Sequence, residues 1–271
     1  MTTLQAVFYG ILQGLAEFLP ISSSGHLALA HTFFGASDAE HLAFDVLLHF
    51  ATLLSIAVSF RKDVSALFGG GLSVAARVFR RTKEPLSDRE RLFLYLCAAS
   101  VPLLPASLFA DRIEALGRSA VLVGTLLICN GILLLVSDAL PAGTRRPERL
   151  GYLRALFIGC TQTFGILPGI SRSGSTITGG RIGGLNGESA VRFSFLLSIP
   201  AVLGASVLEL PSFFAHRIEP AMRLPCLVGF LTAFFTGLGA IRLLRFCSER
   251  RGFTFFGLYT IAIGLIAVLI G

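Results

Sequence analysis

The sequence predicts an all-α polytopic membrane protein: an inverted-topology repeat with two re-entrant helix-loop-helix hairpins plus six transmembrane helices, in a single membrane domain over residues 1–271. Three observations carry that prediction. The first is composition, with 54% of residues hydrophobic and 14% charged and a mean hydropathy of +0.76, the values of a chain solvated mostly by lipid. The second is length. Six apolar segments, near 42–60, 92–110, 119–137, 190–209, 224–243 and 252–270, each approach the roughly 20 residues that a helix needs to cross a bilayer. The third is duplication: residues n and n+149 match without gaps at Gln13 and Gln162, Ile21 and Ile170, Ser22 and Ser171, Ser24 and Ser173, Gly25 and Gly174, and Gly35 and Gly184. Apolar identities mean little in a Leu-rich chain, whereas an Ile-Ser-x-Ser-Gly shared at two Pro-containing breaks marks an internal repeat.

Residues 4–34 are apolar but broken by Pro20 and the serines after it. Such a segment is expected to enter the membrane and turn back, because non-helical backbone survives at depth only inside protein or against a cavity. The span 42–60 follows. Residues 61–91 are the longest polar stretch and read as an inner-face loop with a short interfacial helix around 64–80. The spans 92–110 and 119–137 complete repeat one, about 1–140. Residues 153–187 are the second broken segment, interrupted at Pro168-Gly169, where Ser171 is a suitable N-cap for a helix restarting afterwards. The last three spans complete repeat two, about 150–271.

One hairpin and three spans per half is an odd number of crossings, so the second half is expected upside down relative to the first. The charges test this separately. With residue 1 outside, eighteen Lys and Arg fall on the inner side and four, Arg112, Arg118, Arg217 and Arg223, on the outer, Arg172 being set apart. The positive-inside rule therefore places both termini outside. The hairpins then enter from opposite faces and meet near the midplane, where inverted-repeat proteins carry their sites.

The same arrangement excludes several classes. The net charge of +7 lies between apolar segments with no aromatic-basic surface, so topology explains it better than nucleic acid does. Cys97, Cys129, Cys160, Cys226 and Cys247 are scattered without a C-x-x-C pair and read as small hydrophobes rather than a zinc site or disulfide framework. The N-terminal Met-Thr-Thr-Leu-Gln has no basic region and Glu17 follows in the apolar stretch, so a cleaved signal peptide is not expected.

Two breaks carry the polar chemistry. Arg172 stands in an otherwise apolar region, and an intramembrane arginine, costing roughly 3 kcal/mol or more at the bilayer centre, normally faces a cavity and holds an anion or carboxylate. A helix N-terminus beside it adds N–H groups and a positive dipole end, an arrangement that suits phosphate. In the first break, Gln13 and Glu17 are four apart on one helical face, and Ser23 and His26 are three apart just after it, within reach of each other if a helix restarts there. A hydroxyl, an imidazole, a carboxylate and a guanidinium suit phosphoryl transfer, with the hydroxyl activated by an adjacent base and the carboxylate able to hold Mg²⁺ or Ca²⁺. The competing structural readings are an Arg172–Glu17 ion pair without chemistry and serines that bond back to the backbone. His49 and Asn130 read as helix-packing groups, and Asp45 stays open between the two readings.

At these residues the chain resembles the undecaprenyl-diphosphate phosphatases of the bacitracin-resistance type. Their signatures, a (Glu/Gln)-x-x-x-Glu helix running into Pro-x-Ser-Ser-x-Gly-His and a Pro-Gly-x-Ser-Arg-Ser-Gly-x-Thr loop, correspond to Gln13 through His26 and Pro168 through Thr176. The resemblance covers the whole length. It implies a hydrolase acting on a phosphoanhydride: the C55 prenyl diphosphate goes to the monophosphate carrier plus inorganic phosphate, with a divalent cation, Mg²⁺ or Ca²⁺. It further implies a bacterial plasma membrane location, both termini periplasmic, and a cavity opening to the periplasmic side. By position it makes Glu17, Ser23, His26 and Arg172 catalytic, with Ser23 the nucleophile and His26 its base, or His26 itself phosphorylated. Glu17 is also the candidate metal ligand, and Gln13, Ser22, Ser24, Gly25, Gly169, Ser171, Ser173, Gly174 and Thr176 are the candidate substrate-binding residues. Gln13 takes the first acidic position of the signature, a variant the pattern allows, although an amide is a weaker metal ligand than a carboxylate. The expected partners are the lipid substrate and membrane lipids, with no nucleic acid; a homodimer is compatible with the chain. The rival class is an inverted-repeat transporter or flippase for an anionic or lipid-phosphate substrate, which would have no need of the Ser23 and His26 pair. An anion channel is weaker, since no ring of charge repeats.

Overall fold

The computed structural model describes residues 1–34, 38–81, 83–215, 220–250 and 252–271, and among them every regular element is helical. Gly35 of the repeat, Thr82 of the 61–91 stretch, and Arg217 and Arg251 of the outer and inner basic residues lie outside the described residues. The first helix, α1 (Thr3–Ala16), opens on a capping box in which Thr2 and Gln5 bond reciprocally, satisfying two of the otherwise unpaired first N–H groups. It stops at the first break, and α2 (Ser23–Phe34) restarts beyond Pro20. Next comes α3 (Asp38–Ser59). The following helix, α4 (Arg61–Arg80), turns away at Phe60, and its axis lies 88° from that of Phe44–Ser59. A helix is therefore present where one was expected around 64–80, beginning three residues earlier.

The apolar run expected as one span near 92–110 is instead three pieces: α5 (Asp88–Ser100), α6 (Leu103–Ser107) and α7 (Ala110–Leu116). Pro102 and Pro105 account for the interruption, because each lacks an N–H and biases the preceding residue away from the helical region. The helix α8 (Ala120–Ala139) is continuous and long and apolar enough to cross a membrane alone, as is Pro220–Ser248. After α8 come α9 (Tyr152–Phe164), the second break, α10 (Arg172–Ile182), α11 (Gly187–Ala215), α12 (Arg223–Arg250) and α13 (Thr254–Ile270).

Small residues let the main pairs approach closely, as expected where lipid removes the hydrophobic drive between helices. Along α8 and α13, Gly131 meets Gly257 and Gly124 meets Gly264. The larger core cluster ties the first break to α3, α11 and α12. Phe195 takes Phe18 and Phe60 edge-on at centroid distances of 5.7 and 5.2 Å, and the Arg245 guanidinium lies 4.1 Å over the Phe60 ring. These contacts hold the break between α1 and α2 in the interior, where the polar residues meet.

Candidate active site

Both broken segments restart with a serine outside the helical region, and the two solutions differ. Ser171 is extended (φ −81°, ψ 123°) and its hydroxyl accepts the Gly174 N–H, the N-cap expected from sequence. Ser22 sits at φ +73°, a left-handed conformation uncommon for a residue with a Cβ. Its hydroxyl accepts from Gly25 N–H at 3.3 Å and from Gly169 N–H at 3.2 Å, so one side chain caps its own helix and binds the other break.

The breaks cross at Gly25 and Gly169. A Cβ at position 25 would lie 2.8 Å from Gly169 Cα, and Gly169 itself has φ +112°, which only glycine adopts freely. Asn130 of α8 locks the crossing, donating from Nδ2 to Pro20 O at 2.9 Å and accepting at Oδ1 from Ser171 N–H at 2.9 Å. The helix-bonding role read for Asn130 is therefore borne out, at a more specific place than its sequence indicates. The N-termini of α2 and α10 both begin at this crossing, which concentrates unpaired N–H groups and two positive dipole ends at one point.

Into that point the crossing brings Glu17 and Arg172, and Arg172 Nη2 bonds Glu17 Oε1. Arg172 Nη1 also lies 3.5 Å from Ser198 O. The other carboxylate oxygen, Oε2, accepts the Ser23 hydroxyl at 2.8 Å and the Gln13 amide at 3.1 Å. His49 Nε2 stands 3.8 Å from the same oxygen. Its Nδ1 donates to the Asp45 carbonyl at 2.8 Å, since a carbonyl can only accept. The carboxylate is nearly closed off, with 5% of the Glu17 side chain exposed against 18% for Arg172 and 35% for His49. Access to the acid therefore runs past the arginine and the imidazole.

The expected Ser23–His26 contact is not formed. His26 is buried; its Nδ1 donates to Ser22 O at 2.9 Å and its Nε2 pairs with the Tyr259 hydroxyl at 3.0 Å. The group beside the Ser23 hydroxyl is the Glu17 carboxylate, because the left-handed turn at Ser22 sends Ser23 back toward the end of α1. Among the substrate-binding candidates, Ser22, Gly25, Gly169, Ser171 and Gly174 build the crossing itself. Ser24 is exposed and lies 3.4 Å from Ser22 Oγ. Ser171 and Ser173 pair their hydroxyls at 3.0 Å, while Thr176 bonds Arg172 O at 2.9 Å and Ser194 at 2.6 Å, away from the carboxylate. Gln13 is fully buried and its Oε1 has no partner.

Sequence reasoning passed over Tyr259 and read His49 as packing. Tyr259 carries no signal, being one tyrosine in an apolar helix. For His49 a signal existed: at the repeat offset of 149 it corresponds to Ser198, and the two flank the partners of the Glu17–Arg172 pair. Asp45, left open above, pairs with His31 at 2.9 Å.

A divalent cation of the Mg²⁺ or Ca²⁺ kind takes oxygen ligands. Glu17, the orphaned Oε1 of Gln13 and the Ser23 hydroxyl are of that kind. Among the described residues no group of three or more His, Cys, Asp or Glu could hold a metal without help. The donor set thus fits a cation that completes its shell with phosphate and water oxygens, as Mg²⁺ commonly does.

Comparison with known proteins gives a consistent result. A family model described as bacitracin resistance protein BacA matches residues 6–266. Among curated relatives, a protein named undecaprenyl-diphosphatase from Gemmatimonas aurantiaca is 40% identical over 98% of this chain and 97% of its own. Proteins of the same name from Rubrobacter xylanophilus and Carboxydothermus hydrogenoformans are 39% and 37% identical, each over 98% of this chain and over 98% and 96% of theirs.

Proposed function

This chain belongs to the BacA bacitracin resistance family, and on that footing we propose that it is a membrane phosphatase hydrolysing undecaprenyl diphosphate to undecaprenyl phosphate and inorganic phosphate. The reaction returns a lipid carrier to cell-wall synthesis and underlies resistance to bacitracin. The observation that carries the reading is the continuous chain Ser23–Glu17–Arg172 at the meeting point of two helix N-termini.

In this reading the diphosphate enters the crossing and its oxygens take the Arg172 guanidinium from Glu17. The N–H groups at the starts of α2 and α10 supply further donors for charge that develops on the phosphoryl oxygens. Released from the arginine, Glu17 accepts the Ser23 proton as Ser23 Oγ attacks the terminal phosphorus. The bond to the bridging oxygen breaks and undecaprenyl phosphate leaves. Water then attacks the phosphoseryl group, losing its proton to the medium, while Ser23 recovers its own proton from Glu17 and inorganic phosphate departs. Glu17 thus has the role of base that the sequence assigns to His26, and His26 positions the turn by holding the Ser22 carbonyl. Glu17 and Gln13 would hold a divalent cation, whose bound charge would neutralise the diphosphate. The prenyl tail would lie between spans.

The finer architecture is part of the proposal: two inverted halves, about 1–140 and 150–271, each with a re-entrant broken pair, both termini periplasmic and the site opening to the periplasmic side of a bacterial plasma membrane. Packing supports the internal symmetry, since α1 lies along α12 as α9 lies along α5, while α8 pairs with α13 and α3 with α11. The test is phosphate release from undecaprenyl diphosphate by detergent-purified protein, with and without a chelator. No release under either condition removes the proposal.

A further inference from the structure

The helix α4 distributes its apolar residues more one-sidedly than α3 before it or α5 after it. Phe68, Leu72 and Phe79 fall within one narrow arc of α4 at 100° per residue, and they are 70, 73 and 89% exposed. Ser73 and Arg77 lie on the other side, beside Gly70, which meets the Arg89 backbone of α5, and Arg80 lies on the exposed flank between that side and the apolar arc. The α4 axis stands at 88° to the preceding apolar helix, so if α3 crosses the bilayer, α4 lies in the plane of its surface. The basic residues divide into two sets. Arg77 is committed to the protein, bonding the carbonyls of Glu84 and Pro85 and the Glu90 carboxylate, and so folds the 84–87 turn onto α4. Arg61, Lys62, Arg80, Arg81 and Lys83 are exposed, and among the described residues none of them forms an ion pair with an acidic side chain. A cavity of about 290 Å³ opens between α4 and the turn, with Arg80 on its wall. Two acids line that cavity, Glu84 and Glu90; Glu90 is occupied by Ser73, Ser87 and Arg77, which leaves the exposed Glu84 as one negative charge beside Arg80, Arg81 and Lys83.

We propose that α4 is a binding surface for anionic phospholipid: Phe68, Leu72 and Phe79 enter the acyl region while Arg80, Arg81 and Lys83 hold the headgroup phosphates. An in-plane helix with one apolar arc gains from apolar burial and from attraction to anionic headgroups together, and each Lys or Arg near such a surface contributes about 1 kcal/mol. The surface is separate from the Glu17–Arg172 site. It would tie the α3–α4 bend, and through α3 the His49 side of the site, to the lipid composition of one leaflet.

The experiment compares the full-length wild type with the triple variant Arg80→Gln, Arg81→Gln, Lys83→Gln. Each is extracted from bilayers of equal phosphatidylglycerol and phosphatidylcholine, and the retained lipid is counted by native mass spectrometry. The wild type should retain phosphatidylglycerol in excess, and the excess should fall by about fivefold for each cation removed. Arg118→Gln, a charge removed outside α4, should leave it unchanged. Equal retention of the two lipids by the wild type overturns the proposal, as does an undiminished preference in the triple variant or an equal loss in Arg118→Gln. Displacement of the excess by inorganic phosphate alone would show a soluble-anion site instead and would equally overturn it.

Discussion

The Ser23 hydroxyl donates to Glu17 Oε2 at 2.8 Å across a six-residue turn, and His26, three residues further along the chain, faces Tyr259. Replacing each candidate base in turn separates the two assignments. Glu17→Gln should lower kcat by roughly a hundred- to ten-thousandfold, the range for loss of a general base. His26→Gln, which keeps a donor for the Ser22 carbonyl, should lower it far less. The reverse order in steady-state phosphate release would return the base to His26.

Arg172 pairs with Glu17 in a nearly closed interior, so its removal has two consequences that can be pulled apart. Arg172→Ala should lower turnover by at least a hundred- to a thousandfold, as loss of an electrostatic donor does. It should also lower thermal stability, because breaking a buried pair costs about 3–5 kcal/mol. The double variant Arg172→Ala, Glu17→Gln should recover Tm in detergent without recovering turnover. A double variant that regained activity would make the pair structural only.

Gly25 faces the Gly169 backbone with no room for a methyl group. Gly25→Ala should force the two breaks apart, costing about 1–3 kcal/mol as an overpacking change does, and should reduce phosphate release along with Tm. The same substitution at Gly69, inside α4 with nothing within 4 Å of an added Cβ, is the control: it should leave phosphate release unchanged and should not lower Tm, since alanine is the better helix former.

Asn130 satisfies one group from each break. Asn130→Ala leaves a buried carbonyl and a buried N–H without partners, at about 1–3 kcal/mol each. Asn130→Asp keeps the acceptor for Ser171 N–H and loses the donor for Pro20 O, so its Tm should fall between alanine and wild type. An aspartate variant as unstable as the alanine would show that the two bonds are not independent.

Gln13 donates to Glu17 through Nε2 while its Oε1 is unpartnered. Gln13→Glu places a second carboxylate beside Glu17, which repels it unless a cation lies between them. Half-activation by Mg²⁺ or Ca²⁺ should then occur at lower concentration, with activity in chelator lower than in the wild type. A metal titration that does not shift would remove Gln13 from the cation's surroundings.

Much of this was legible in the chain. Length and composition mark the apolar helices, Pro20 and Pro168 mark the breaks, and Ser171 is recognisable as a cap because N-capping is a local event set by residues within one turn. The expectation of one span failed at 92–110, because Pro102 and Pro105 interrupt the helix through backbone sterics whatever the apolar character around them. It failed again at Ser23 and His26. Spacing by three presumes a regular helix on both sides, whereas Ser22 adopts a left-handed turn that swings the hydroxyl toward α1.

By itself the sequence determined that the chain is helical and lipid-solvated, and that its polar residues concentrate at two breaks 149 positions apart; composition and local capping are properties of short stretches. The tertiary structure decided which of those residues touch. Asn130 sits 110 residues from Pro20 and Tyr259 sits 233 from His26, and no local preference encodes such meetings. They arise because small residues let helices approach closely, and because buried polar groups must find partners wherever the packing brings them.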